Sequence, residues 1–264
     1  MKTKSLGFIG GGRITKVFLQ AFKNKSVKFD TIKVYDTNNE VLDNLKKQFS
    51  EITTTKSVSE TPKQDIVILA VHPPVMMEIL SHLKGLLKRE SVVLSLAPKI
   101  NIDKMNEILP TSKIVRMIPN ATSIVNEGYN PVSFHDSFSS EEKKQFINIF
   151  NVLGHTFEVA EHKLEGYAIA SAMLPTYFWF QLEKMEEIAE RTGLTTKEAK
   201  DTIYNTLKYA NQLFYKSGYS HEEIMDLIPV KPIGEDEAEI NTIYETKLLG
   251  LFEKIKSTPA AEVV

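Results

Sequence analysis

At 264 residues the chain is long enough for one large or two modest domains with a substantial core. A net charge of −2 gives no global attraction for nucleic acid or an anionic membrane, and 42% hydrophobic with 25% charged residues is an ordinary globular balance. The absence of cysteine excludes a disulfide framework, a thiolate metal site and a cysteine nucleophile. The apolar run after Met1-Lys-Thr-Lys-Ser5 is short and broken by Gly7, unlike a signal peptide, and no stretch reaches the ~18 apolar residues of a membrane span. A cytoplasmic location is expected.

The first predicted strand ends at Ile9 and runs into Gly10-Gly-Gly-Arg-Ile14. Ile14, Val17, Phe18, Ala21 and Phe22 then recur on one face of a helix. In this strand–turn–helix context a Gly-x-Gly-x-x-Gly/Ala pattern is informative. Gly10 permits the tight turn, Gly12 lets backbone approach a pyrophosphate, and the amides of Gly11, Arg13 and Ile14 at the helix start hold its charge. Thr15 occupies the third position of the pattern, which predicts a slightly wider strand–helix spacing there.

Residues 31–36 read as the second strand, ending on Asp36. This acid lies about 20 positions beyond Thr15, the offset at which a carboxylate meets the adenosine ribose hydroxyls. Thr37, Asn38, Asn39 and Glu40 follow without an Arg or Lys to meet a 2′-phosphate, which favours NAD over NADP. Asp36 is also placed to cap the next helix, and the two roles are compatible.

Further strands are predicted at 65–71, 91–95 and 113–118, with late strands at 130–134 and 156–159. Helices are predicted from Pro73-Pro74 to Leu83, at 102–109 and at 140–153. Alternating strands and helices imply a parallel, doubly wound (Rossmann) sheet over residues 1–160, with its ligand at the strands' carboxyl ends: Ile9, Asp36, Val71, Ser95 and Ile118. From 161 to 264 the texture is helical only, giving an α/β domain followed by an all-α domain. One long helix is predicted over 163–191, then helices at 195–217, 220–227 and 237–256, with a tail from Ser257 expected to fray. Tyr177, Phe178, Trp179 and Phe180 in succession make the long helix apolar nearly all round. This argues for a homodimer or higher oligomer through the helical domain. His135, His155, His162 and His221 stand singly, without metal-ligand spacing, and no metal site is expected.

Several segments together resemble the pyrroline-5-carboxylate reductase family over nearly the whole length. Phe8-Ile-Gly-Gly-Gly-Arg-Ile-Thr15 is similar to that family's Phe-Ile-Gly-x-Gly-x-Met-Ala, and Leu69-Ala-Val-His-Pro73 to its Leu-Ala-Val-Lys-Pro. Arg116-Met-Ile-Pro-Asn120 resembles its Arg-x-Met-Pro-Asn, followed by Val125, Glu127 and Gly128. Leu174-Pro-Thr-Tyr177 stands where it has Gly-Pro-Ala-Tyr. The resemblance implies an NAD(P)H-dependent reductase of a cyclic imine, giving proline in the parent reaction of proline biosynthesis. It further implies Ala70, Val71 and His72 beside the nicotinamide ribose, and Pro119 and Asn120 beside the ring.

The departures fall on the substrate side. The family's Ser-Gly-Ser-Gly-Pro reads Ser171-Ala-Met-Leu-Pro175, and the threonine pair of its substrate loop corresponds to Glu235 and Asp236. In the family those threonines hold the substrate carboxylate. An acid ~4 Å from a carboxylate costs about 4 kcal/mol at an effective dielectric near 20. Three readings follow: a pyrroline-5-carboxylate reductase in which Lys231 takes the anion; a related reductase of a cationic imine, with Glu235 stabilising the cation and Tyr177 or Glu235 supplying a proton; and a nucleotide-binding homologue without catalysis.

Overall fold

Alternation of side chains along the strands sorts the core into two layers. The computed structural model describes residues 4–256, and the tail expected to fray lies outside the described residues. In strand β1 (Leu6–Ile9), Leu6 and Phe8 face one core and Ile9 the other. Strand β4 (Ile66–Leu69) divides in the same way, with Ile66 and Ile68 on one side and Val67 and Leu69 on the other. Both faces are covered, as continuous apolar runs require. Helices α1 (Arg13–Asn24), α2 (Asn39–Gln48) and α5 (Ser140–Phe150) fill the first layer through Phe18, Phe22, Leu45 and Phe150. Helices α3 (Pro73–Leu83) and α4 (Ile102–Ile108) fill the second through Met76, Leu80 and Met105.

The remaining strands are β2 (Ile32–Tyr35), β3 (Thr53–Thr55), β5 (Val92–Ser95), β6 (Ile114–Met117), β7 (Gly128–Phe134) and β8 (Gly154–Glu158), in the order β3-β2-β1-β4-β5-β6-β7-β8. The first six are mutually parallel. β7 is antiparallel to β6, and β8 is parallel to β7, which departs from the all-parallel expectation. The connection explains this. Only a short loop with a 3₁₀ turn at Ala121–Val125 separates β6 from β7, whereas a parallel return needs a dozen or more residues. Helix α5 supplies such a crossover between β7 and β8. Strand β3 is absent from the sequence reading because three threonines at a sheet edge carry no apolar run.

The described chain divides into two compact units. One comprises residues up to Ala172 together with 252–256, and the other is Met173–Leu251. The change of texture at 160/161 marks where strands stop. The first unit continues through α6 (Leu164–Tyr167) and a π-helical turn, Ala168–Ala172. The single helix expected over 163–191 is therefore three pieces, with α7 (Leu174–Arg191) starting afresh. Pro175 is the cause: it lacks the N–H that would continue the ladder and suits a first turn.

The second unit contains α7, α8 (Thr196–Lys216), α9 (His221–Asp226) and most of α10 (Glu237–Ile255). Thr195 with Glu198, and Ser220 with Glu223, form capping boxes that start α8 and α9 where the sequence places them. Among its described residues only Ala199 is buried, while Phe178, Trp179 and Phe180 are exposed by 47%, 53% and 65%.

Candidate active site

The parallel strands β1, β2, β4, β5 and β6 bring their carboxyl ends to one edge of the sheet. Gly10 follows β1 with φ +104°, a conformation closed to most side chains, and a Cβ there would collide with the Ala70 carbonyl. Its N–H donates to the Tyr35 carbonyl at 2.8 Å, while Ala70 N donates to the Ile9 carbonyl at 2.8 Å. Thr15, the departure from the small third residue, is fully buried, and its hydroxyl donates to the Gly10 carbonyl at 2.6 Å. It thus holds the turn onto the helix.

Gly12 is the N-cap of α1, and a Cβ there would meet nothing within 4 Å. No side chain caps this helix and no acid stands in its first turn. The free amides and helix dipole are therefore left facing a cleft of about 510 Å³ lined by Gly11, Gly12, Arg13, Lys16, Asn44 and His72. Two cations, uncapped amides and a glycine with open space fit a diphosphate. Ile14 turns its side chain into the core, so it has only its backbone to offer. His72 is the exposed N-cap of α3, with no side-chain cap bond of its own.

Asp36 does not cap α2. Asn38 does, accepting from Glu40 N at 2.9 Å. Asp36 Oδ2 instead accepts from Gly11 N at 2.7 Å and Oδ1 from Asn38 N at 2.8 Å, so the carboxylate is fixed between the two loops. Val71 and Ala70 are half-buried at the end of β4.

Beyond β6, Pro119 is half-buried and Asn120 is 5% exposed. Asn120 Oδ1 accepts from Thr122 N at 3.0 Å and from the Thr122 hydroxyl at 2.8 Å. Its Nδ2 donates to Ser171 Oγ at 3.0 Å and lies 3.3 Å from the Ser171 carbonyl oxygen. The strand feeding this loop carries a buried arginine. Arg116 pairs with Glu165 at 2.5 Å and with Glu161 at 2.9 Å, and Glu161 also accepts from Ile102 N at 2.8 Å. A guanidinium that is 1% exposed is tolerable only with such partners. Sequence reasoning named Arg116 within a motif but missed both glutamates. The nearest signal was their spacing of one helical turn.

In the helical unit, Tyr177 lines an apolar cavity of about 550 Å³ between α7 and α10 with Phe180, Gln181, Ile243, Tyr244 and Leu248. Gln181 donates to Tyr244 Oη at 3.0 Å, and the Tyr177 and Tyr244 rings lie 6.4 Å apart. Burial pushes the Tyr177 phenol above its ordinary pKa. Lys231 lies elsewhere, in a polar cavity with Glu222, Glu223 and Asp226. Glu235 and Asp236 are exposed on a 3₁₀ turn before α10 and line neither cavity. Lys231 and Glu235 thus share a loop, stitched by Gly234 N donating to the Lys231 carbonyl at 3.0 Å, and Tyr177 is apart from both. The histidines take local roles: His135 Nδ1 accepts from Ser137 N, and His221 stacks on Phe214. No cluster of three potential metal ligands occurs among the described residues.

Comparison with known proteins adds to this geometry. A family described as NADP oxidoreductase, coenzyme F420-dependent, matches residues 5–98, which run from β1 through β5. A pyrroline-5-carboxylate reductase of Corynebacterium melassecola is 25% identical over 252 residues, covering 94% of this chain and 93% of that protein. The chain is similar to pyrroline-5-carboxylate reductases over most of its length. The Plasmodium falciparum pyrroline carboxylate reductase, solved with NADP bound, aligns with TM-score 0.75 at 22% identity over 97% of this chain and 96% of its own. The Streptococcus pyogenes 1-pyrroline-5-carboxylate reductase aligns with TM-score 0.78 at 17% identity over 98% and 100%. The fold is thus shared over nearly the whole of each chain. No described helix is long and apolar enough to cross a membrane.

Proposed function

We propose that the protein is a nicotinamide-dependent reductase of a cyclic imine, with pyrroline-5-carboxylate as substrate and proline as product. The observation carrying this reading is the uncapped, glycine-lined start of α1 beside Arg13 and Lys16, in a chain similar to pyrroline-5-carboxylate reductases from end to end. Bound at this edge, a reduced nicotinamide supplies the hydride. The amides of Gly12, Arg13 and Ile14 would hold the diphosphate, the Gly11 amide being engaged by Asp36, and Asp36 would hold the adenosine ribose. Ala70, Val71 and His72 would border the nicotinamide ribose, and the Pro119–Asn120 backbone would border the ring. Tyr177 would be the candidate proton donor to the imine nitrogen, and Lys231, in a separate cavity, the candidate for the carboxylate.

NAD is the preferred cofactor. The Asp36 carboxylate at the end of β2 would repel a 2′-phosphate, and residues 37–40 carry no cation to offset the repulsion. Asp36→Ser should weaken NADH binding and improve NADPH binding, read by nicotinamide fluorescence titration. The working form is a homodimer or larger assembly in the cytoplasm, because a helical unit with one buried residue needs apolar cover from a second copy.

One observation favours a second substrate class. Lys231 shares its cavity with three acids, and Glu235 and Asp236 stand exposed beside it, an environment that suits a cationic imine better than a carboxylate. The test is oxidation of NADH and NADPH followed by absorbance on adding pyrroline-5-carboxylate, then an amine-type cyclic imine without a carboxylate. Turnover of the first, lost on Lys231→Ala, supports the proline reading. Turnover of the second alone, reduced by Glu235→Gln, moves the substrate class. Binding of either nicotinamide without turnover of any imine leaves a non-catalytic homologue.

A further inference from the structure

The side chain of Asn120 lies at the cofactor edge yet spends all its hydrogen-bonding capacity on protein. Its Oδ1 takes the amide and hydroxyl of Thr122, and its Nδ2 reaches both the carbonyl and the hydroxyl of Ser171. Ser171 belongs to the π-turn Ala168–Ala172, and its hydroxyl donates onward to the Tyr129 carbonyl at 3.2 Å. The residue four positions on is Pro175, which has no N–H to give the Ser171 carbonyl. The next amide, of Thr176, is engaged by the Met173 carbonyl at 2.9 Å. The Ser171 carbonyl is therefore denied its helical donor, and a side chain 51 residues away supplies one. The backbone amide of Asn120 is also fixed, donating to Asn130 Oδ1 at 3.0 Å.

Resting on the reductase reading above, we propose that Asn120 is a positioning residue: its amide serves the Ser171 carbonyl that Pro175 cannot, and so holds the loop after β6 in place at the cofactor edge. The side chain does not contact the cofactor. It sets where the backbone of Pro119 and Asn120 stands relative to the reacting ring. Misplacement of such a segment by about an ångström costs turnover rather than binding, because the diphosphate and ribose groups lie on other loops.

Asn120→Asp tests this with little change of shape. It keeps the acceptor for Thr122 and replaces the donor to Ser171 by a second acceptor. We expect kcat for imine reduction to fall roughly ten- to hundredfold, with KM and fluorescence-titrated Kd for the nicotinamide within about threefold of wild type. Pro175→Ala restores an N–H at position 175, so adding it to Asn120→Asp should recover several-fold in kcat and part of any lost melting temperature. Unchanged kcat in Asn120→Asp, or parallel loss of kcat and nicotinamide affinity, would overturn the proposal. So would a double variant whose kcat and melting temperature are simply additive. If the wild-type protein reduces no imine, the reductase reading fails by itself. The melting cycle of Asn120→Asp with Pro175→Ala then decides the tether, additivity sinking it and recovery supporting it.

Discussion

Two neighbouring glycines separate folding from binding. Gly10 sits at positive φ against the Ala70 carbonyl, so a methyl there strains the turn and collides with backbone. Gly10→Ala is expected to destabilise the protein by about 1–3 kcal/mol, measured by thermal or urea denaturation. Gly12 has ordinary φ and empty space around it. Gly12→Ala should leave stability within about 0.5 kcal/mol of wild type, yet weaken nicotinamide binding by on the order of tenfold, ~1.4 kcal/mol. Equal stability loss in the two variants would contradict this division. Both glycines were legible in the sequence because their spacing reports backbone geometry. The duties of Asp36 were only half legible. An acid at the end of β2 signals a ribose partner, but its bond to Gly11 N depends on two loops folding against each other.

Local chemistry is strong enough to place most helix ends. Ser139 and Glu142 form a capping box at α5, and Lys113 adds an ion pair to Glu142 at 2.7 Å. Hydrogen bonding by Lys113, with further bonds from Ser139, lowers the Glu142 carboxyl from 4.5 to about 2. A depressed acid stabilises the fold fully above its unfolded pKa and loses that contribution as pH falls through the folded value. Glu142→Gln should therefore cost about 0.5–1 kcal/mol at pH 7, with the difference from wild type shrinking below pH 4.5 and vanishing near pH 2, followed by urea denaturation. A constant difference across that range would refute it. The elements that escaped the sequence reading lacked such signals. β3 is three threonines at an edge, and the break before α7 arises from one proline acting on a carbonyl whose new partner is far along the chain. The direction of β7 follows from a loop length, which is visible in sequence only after both strand ends are known.

The two units are built to different rules. The first has a core on each face of its sheet, complete within one chain. The second leaves Phe178, Trp179 and Phe180 in the open and buries only Ala199 among its described residues. Apolar surface of that extent is costly in water at about 25 cal/mol per Å², and a second copy is the cover proposed. Phe180→Glu should shift the protein to a smaller species in sedimentation velocity, with the dinucleotide-binding unit still folded by its nicotinamide fluorescence response. An unchanged sedimentation coefficient would remove this residue from the interface.

Glycine spacing, hydrophobic alternation and capping boxes are properties of a few adjacent residues, so the dinucleotide loop, the alternating strands and helices of the first unit and the ends of α8 and α9 could be read from the linear chain. The resemblance of short motifs also carried the reductase family. Long-range pairing is a different matter. The burial of Arg116 between Glu161 and Glu165, the tie between Asn120 and Ser171, and the separation of Tyr177 from Lys231 and Glu235 each depend on residues remote in sequence. Such contacts are set by how packed layers close in three dimensions, which no local pattern encodes.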